Sequence, residues 1–243
     1  MALSKSKIDY LQFVWNVAVG CKHGCEYCWA RTRWAKRIGR NTGCSDCDAY
    51  EPHVHIERWR DARKRRIPSR IGVGFFADLF GPWDWTCPGP PMFTKLLTHG
   101  IANEARVCPQ HRFITLTKAP ENIPDIDIPD NWWIGVSVTG SPRRESEEDG
   151  RVANLSPRLK GHTLLSHEPW LGSLPSYVYG CFDWVILGGL TGKGAHGIPQ
   201  YEILKAAAAC KSCDIPLFVK RNAGVRDAPQ EYPKGLMLPG ETQ

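Results

Sequence analysis

Nowhere in its 243 residues does the chain carry a run of about 18 apolar residues, the length a helix needs to cross a bilayer. The N-terminus, Met1-Ala2-Leu3-Ser4-Lys5, lacks the apolar stretch of a secretory signal. Neither export nor a membrane contact is expected, and the expected location is the cytoplasm. A phosphate-binding P-loop is missing as well. The glycine-rich Gly188-Gly189-Leu190-Thr191-Gly192-Lys193-Gly194 fails the G-x4-G-K-S/T spacing that cradling a phosphate requires. Strong charge of one sign is also lacking, since 31 Lys and Arg stand against 25 Asp and Glu. What the chain has in quantity is cysteine, with ten residues, and in a cytosolic protein that number points to metal rather than to disulfides. The length fits one large domain over 1–243, and 42% hydrophobic residues with ten tryptophans can fill its core.

Three of the cysteines form the tight stretch Cys21-Lys22-His23-Gly24-Cys25-Glu26-Tyr27-Cys28. Their C-x3-C-x2-C spacing can supply three thiolates to a 4Fe-4S cluster and leaves the fourth iron open. The spacing, with an aromatic directly before the third cysteine, resembles the signature of radical S-adenosylmethionine (SAM) enzymes, whose open iron binds SAM. The competing reading is a zinc site completed by His23, although His23 lies inside the same tight loop.

Around this loop the pattern is that of an α/β protein. Tyr10–Gly20 reads as a strand entering the loop, and Trp29–Ile38 as a helix leaving it. Strand candidates recur at Ile71–Phe76, Phe113–Thr117, Trp133–Val138, Thr163–Ser166, Trp184–Leu187 and Leu217–Val219, with helices at Met92–Val107 and Tyr201–Cys213. Near-continuous apolar strands alternating with helices indicate a parallel sheet covered on both faces. Six or seven such units suit a partial (β/α)6-type barrel or a closed β/α barrel, with the active site at the C-terminal strand ends. Polar residues fall at those ends: Asp78, Thr117-Lys118, Ser137 and Thr139, His167-Glu168, Gly188-Gly189, and Lys220-Arg221.

The stretch 41–68 breaks the rhythm and reads as a cysteine- and Arg-rich insertion outside the core. Its Cys44-x2-Cys47 has the spacing of a zinc or second-metal half-site, for which His53, His55, Cys87 and Cys108 are candidate partners; the alternative is a surface thiol pair. Arg58, Arg60, Arg63, Lys64, Arg65, Arg66 and Arg70 crowd the same region, as a solvated face or as contacts to a phosphate backbone. Cys210 and Cys213 share a helical face, where Cys210 reads as a buried small residue. His111 reads as structural.

Further stretches carry a resemblance. They are Phe76-Ala77-Asp78-Leu79-Phe80, Pro109-Gln110-His111-Arg112-Phe113 running into Leu116-Thr117-Lys118-Ala119-Pro120-Glu121, and Trp133-Ile134-Gly135-Val136-Ser137-Val138. Leu165 to Gly172, Asp183 to Gly189 and Pro216 to Lys220 continue them. In unbroken order from about Trp15 to Lys220, they are similar to a small phage-borne radical SAM family known by phage gene-product names. The resemblance implies a cluster on Cys21, Cys25 and Cys28, SAM as co-substrate, a partial β/α barrel and, for a phage-encoded chain, the host cytoplasm. The chain departs from the family pattern at His167, at Leu190 and at Arg221-Asn222, all at strand ends.

On this reading Tyr27, Asp78, Ser137, Thr139, Gly188 and Gly189 are expected to contact SAM. Lys118, His167, Glu168, Lys220 and Arg221 are the expected catalytic groups. The expected enzyme modifies or rearranges a nucleic-acid base or nucleoside, most sharply a hypermodified thymidine derivative of phage DNA, with a reductase or flavodoxin-type electron donor; isomerase, lyase and transferase outcomes stay open. Trp132, Trp133 and Trp170 are candidates to stack on a base, or core residues. Two alternatives stand beside it: a radical SAM repair lyase resembling spore photoproduct lyase, and a non-enzymatic iron–sulfur or zinc protein that binds nucleic acid.

Overall fold

The computed structural model describes residues 3–34, 43–81, 90–155, 159 and 162–242. They gather into two compact units, one built from residues 1–7 and 11–132, the other from 8–10 and 133–243.

The first unit contains β1 (Ser4–Lys5), β2 (Phe13–Trp15), β3 (Ala18–Val19), α1 (Ser45–Ala49), β4 (His53–Val54), β5 (Arg70–Val73), α2 (Pro90–Val107) and β6 (Arg112–Thr117). Strands β2, β5 and β6 run parallel, with Phe13 opposite Ile71 and Ile71 opposite Phe113. Every residue of β5 is buried, as expected of a strand covered on both faces. Trp15 fills the space beneath, its ring 6.1 Å from Phe113 and 6.4 Å from Trp59. Helix α2 buries Leu97, Ile101 and Ala105, one face at helical spacing. Its Gly100 lies against Trp59, where a Cβ would come within 2.1 Å of the indole ring.

In the second unit lie β7 (Trp132–Val138), α3 (Glu145–Leu155), β8 (Thr163–His167), α4 (Ser176–Tyr179), β9 (Trp184–Leu187), α5 (Gln200–Ser212) and β10 (Leu217–Val219). Its strands are parallel in chain order, with Gly135 opposite Leu164, Leu165 opposite Val185, and Ile186 opposite Phe218. Tyr10, which belongs to this unit, packs edge-on against Trp184 and Phe218 at 5.6 and 5.9 Å.

Alternating strands and helices bear out the α/β class, and no closed barrel is found among the described residues. The outer flank of β2 is taken by β1, which pairs antiparallel through Lys5 and Phe13. The outer flank of β10 is taken by residues 229–231, through Val219 N–H to Pro229 O at 2.7 Å and Glu231 N–H to Leu217 O at 3.0 Å. Backbone groups that would close a barrel are already satisfied locally.

Two local expectations need correction. The first strand is split, because the chain between β2 and β3 turns away at Asn16 and Val17. The stretch 41–68 is not outside the core: Cys47, Tyr50, Asp61 and Ala62 are buried, and β4 pairs antiparallel with β3, Val19 opposite His53. A π-helical turn covers Ala30–Trp34, and the rest of the expected helix to Ile38 lies outside the described residues.

Candidate active site

Strand β3 delivers the chain to the three-cysteine loop through Gly20. Its N–H donates to Phe76 O at 2.9 Å, its φ is +93°, and a Cβ there would lie 2.2 Å from Glu51 O. Only glycine meets both conditions without strain. Beyond it, Cys28 N–H donates to Cys25 O at 3.1 Å to close a turn. Arg31 then reaches back, its guanidinium donating to Cys21 O at 2.9 Å and its backbone N–H to Cys28 Sγ at 3.4 Å. Cys21, Cys25 and Cys28 are free and half-buried on a loop tied at both ends.

Burial pushes the Cys21 thiol up to about 12, so a bound metal is what would draw out its thiolate. Three thiolates with an N–H donor already on one sulfur fit a 4Fe-4S cluster with one iron left for another ligand.

His23 has a different task from the zinc ligand considered above. Its Nε2 lies 2.7 Å from Asp78 Oδ2, beyond the end of β5. Asp78 is buried and takes three further hydrogen bonds, from Thr117 Oγ1 and Lys118 N–H at 2.7 Å each and from Phe80 N–H at 3.1 Å. Burial alone would raise this carboxyl, but the His23, Thr117 and Lys118 contacts prevail and hold it below the usual carboxylate range. Both Asp78 oxygens are thus engaged by protein donors, which makes it a buckle between the cysteine loop, β5 and β6. The Lys118 ammonium lies over the Tyr27 ring, 6.0 Å from its centroid, on the same side of the loop.

In the second unit the strand ends gather Glu168, Trp170, Gly188, Gly189, Lys220 and Asn222. Lys220 Nζ donates to Glu168 Oε2 at 2.6 Å. Gly188 makes room for this pair, since a Cβ would lie 2.8 Å from Glu168 Cδ. Trp170 N–H donates to Gly188 O, and Asn222 Nδ2 donates to Gly189 O, both at 2.8 Å. Three buried polar atoms here find no partner among the described residues: Glu168 Oε1, Trp170 Nε1 and Asn222 Oδ1. Two acceptors and one donor around an ion pair are the equipment of a polar ligand site. Asn222 was not picked out as a ligand contact from sequence, where it figured only as a departure from the family pattern.

Other expected residues fall elsewhere. His167 is fully buried, its Nε2 donating to Gly172 O at 3.1 Å and its Nδ1 3.2 Å from the Tyr179 hydroxyl. Burial lowers it to about 4, a neutral structural imidazole rather than an acid–base group facing substrate. Thr139 gives its N–H and hydroxyl to Glu148 Oε1, both at 2.8 Å, and Ser137 gives its hydroxyl to Glu168 O at 3.2 Å. Arg221 is exposed, with its backbone N–H on Asp9 at 2.7 Å. Trp132 and Trp133 are buried in the core.

The basic run is mostly spent internally. Arg63 pairs with Glu104 at 2.6 Å, Lys64 with Asp61, Arg65 with Ser69 at 2.6 Å and over the Phe13 ring, while Arg70 is buried. Arg60 and Arg66 are exposed, and Arg63 and Lys64 stay exposed beside their partners. His111 donates to Arg65 O at 2.9 Å and is structural as expected. Cys44, Cys47, His53 and His55 bring one ligand atom each to within 4.8 Å of one another. Cys108 is not in that group, Cys87 lies outside the described residues, and Cys210 is buried, its thiol raised to about 12 by that burial. Among the described residues no helix is long and apolar enough to cross a membrane.

A family model described as "Protein of unknown function (DUF5131)" matches residues 5–241. No curated protein matches the sequence. Among solved structures, a cysteine-to-alanine variant of spore photoproduct lyase with dinucleoside spore photoproduct is similar at 14% identity and a TM-score of 0.54, over 87% of this chain and 62% of that one. A cysteine-to-serine variant of the same lyase gives 14% and 0.53 over 90% and 58%, and a tyrosine-to-phenylalanine variant 14% and 0.52 over 89% and 57%. The chain therefore spans about 60% of the length of these structures, and at this identity the likeness is one of fold.

Proposed function

This chain belongs to the DUF5131 family of proteins of unknown function, and from its three-cysteine loop we propose that it is a radical SAM enzyme acting on a nucleic-acid base. The loop is the observation that carries the reading. Its free, half-buried thiols are braced by Arg31 and by the His23–Asp78 pair, and their number suits a cluster with one open iron. When bound, the cluster and SAM supply a carbon-centred radical able to remove a hydrogen atom from an unactivated position. The protein's part is to hold the loop, keep water out and fix the substrate carbon.

For substrate placement we assign Glu168, Lys220 and Asn222, with Trp170 as a flat apolar wall and indole donor. A pyrimidine edge alternates carbonyl acceptors with N–H donors. Trp170 Nε1 and the Lys220 ammonium can donate to its carbonyls, and Glu168 Oε1 or Asn222 Oδ1 can accept from its N–H. Lys118, above Tyr27, is assigned to the SAM carboxylate.

Within this class a repair lyase is the reading that one observation favours, because a structural neighbour carries a dinucleoside photoproduct. Modification of a thymidine derivative in phage DNA rests on sequence resemblance. One experiment serves for both: the anaerobically reconstituted, reduced protein is incubated with SAM and either UV-irradiated or unirradiated DNA, and nucleosides are analysed by mass spectrometry. Formation of 5′-deoxyadenosine establishes the class, restored thymine the lyase, and a new nucleoside the modification. Absence of 5′-deoxyadenosine, of restored thymine and of any new nucleoside from protein with a full cluster would overturn the reading.

A further inference from the structure

We infer that Cys44, Cys47, His53 and His55 bind one zinc ion in a closed structural site, independent of the SAM cluster, that clamps the stretch 44–64 onto the cysteine loop. Local structure converges the four side chains. Cys44 stands at the N-cap of α1 and Cys47 within it, three residues on, so both sulfurs share one helical face. The chain reverses at Tyr50, in the left-handed region at φ 57°. His53 and His55, two apart along the β4 segment, then project to the same side.

Distances suit a single tetrahedral ion. Cys44 Sγ and Cys47 Sγ lie 3.6 and 3.3 Å from His53 Nε2, Cys47 Sγ lies 3.1 Å from His55 Nε2, and the two Nε2 atoms are 2.9 Å apart. Zinc bonded at its usual lengths to two sulfurs and two nitrogens sets such separations at about 3.3 to 3.8 Å, within roughly half an ångström of these.

Hydrogen bonding orients the two rings. His53 Nδ1 is 2.7 Å from Glu51 O, and His55 Nδ1 is 2.8 Å from Glu57 Oε1. A carbonyl and a carboxylate can only accept, so each Nδ1 is the donor and each Nε2 is the atom left to ligate a metal. The two Nε2 atoms, 2.9 Å apart with two sulfurs beside them, thus turn their ligating sides to one point, where a single cation would meet all four. Outer partners that fix the tautomer in this way accompany zinc-bound histidines. Two thiolates, two neutral imidazoles and Zn2+ sum to zero charge, which suits a place where Cys47 is fully buried and His55 nearly so. The closed set leaves no position for water or substrate, so the role is structural.

The site has a mechanical connection to the cluster loop. His53 stands opposite Val19 in the β3–β4 pair, two residues before Cys21. Tyr50 and Cys47 form a small core with Val19 and Ala30, against which Cys21, Cys28 and Cys44 pack.

Metal analysis tests the proposal. Protein carrying Cys21, Cys25 and Cys28→Ala is expected to retain one zinc per chain, and further substitution Cys47→Ser with His55→Gln to lose it. As these changes touch a buried site, cobalt exchange into the otherwise unaltered protein is the second measurement; it should give the intense visible bands of tetrahedral cobalt with sulfur ligands. Zinc-supplemented protein holding no zinc and giving no such cobalt spectrum would overturn the site, as would zinc content unchanged by the added Cys47→Ser and His55→Gln. Iron in the triple variant at these ligands would overturn the choice of zinc. None of these results depends on radical activity.

Discussion

His23 Nε2 lies 2.7 Å from Asp78 Oδ2, a contact that joins the middle of the cysteine loop to the end of the second parallel strand. Through it the loop is referenced to buried Thr117 and to the backbone of Lys118. Asp78→Asn keeps the shape but turns one acceptor into a donor facing donors. We expect a stability loss of about 1–3 kcal/mol and iron incorporation well below that of the unsubstituted protein. Iron analysis with thermal melts checks this; unchanged values in both would show that the buckle is dispensable.

Gly20 should be as sensitive. Gly20→Ala must place a Cβ 2.2 Å from Glu51 O at positive φ, costing about 1–2 kcal/mol for the backbone and a further ~1–3 kcal/mol for the overlap. The expected readout is a lowered melting temperature together with weakened cluster retention, whereas Gly24→Ala, with open space around it, should pay only the backbone share.

His167 gives a pH dependence with a definite sign. Burial lowers it from an ordinary 6.5 to about 4, so between those values the unfolded chain binds the additional proton. The stability it contributes is complete above about pH 6.5 and drains away as pH falls through 4, by about 3 kcal/mol in all. Urea unfolding at pH 7 and pH 5 should show the loss, and His167→Gln should flatten the slope across that window. An equally steep slope in the variant would assign it to other groups.

The Glu168–Lys220 pair separates binding of substrate from chemistry on SAM. Lys220→Met or Asn222→Ala should leave iron content and slow uncoupled 5′-deoxyadenosine formation intact while product falls about a hundredfold. Full product yield from both would move the substrate elsewhere.

For the basic run, Arg60→Ser with Arg66→Ser should reduce the salt slope of DNA binding by about two. Arg63→Ala should instead lower the melting temperature by stranding buried Glu104. Should both act only on stability, phosphate contact by this run is refuted.

Sequence carried the strands well because positions buried on both faces, such as Ile71, Gly72 and Val73 of β5, read as an unbroken run without polar residues. It carried the three-cysteine loop because the spacing of its cysteines is local. What it missed depended on distant partners. Asp78 and His167 sit at strand ends as a ligand contact would, and only their surroundings, Thr117 and His23 for one, Gly172 and Tyr179 for the other, show that protein groups already occupy them. Arg63 and Lys64 look like solvent-facing charge until Glu104 and Asp61 are brought beside them. The two-residue strands β1 and β4 are too short for any periodicity to register.

The covering of β2 by Ser4–Lys5 and of β10 by residues 229–231 bears on how the protein ages. Unpaired strand flanks template growth of one chain on another, and here two short peptides prevent it. Residues 224–228, largely exposed ahead of the second peptide, offer a protease its opening. A single cut there would free a strand flank, so clipped preparations should aggregate while intact ones stay dispersed.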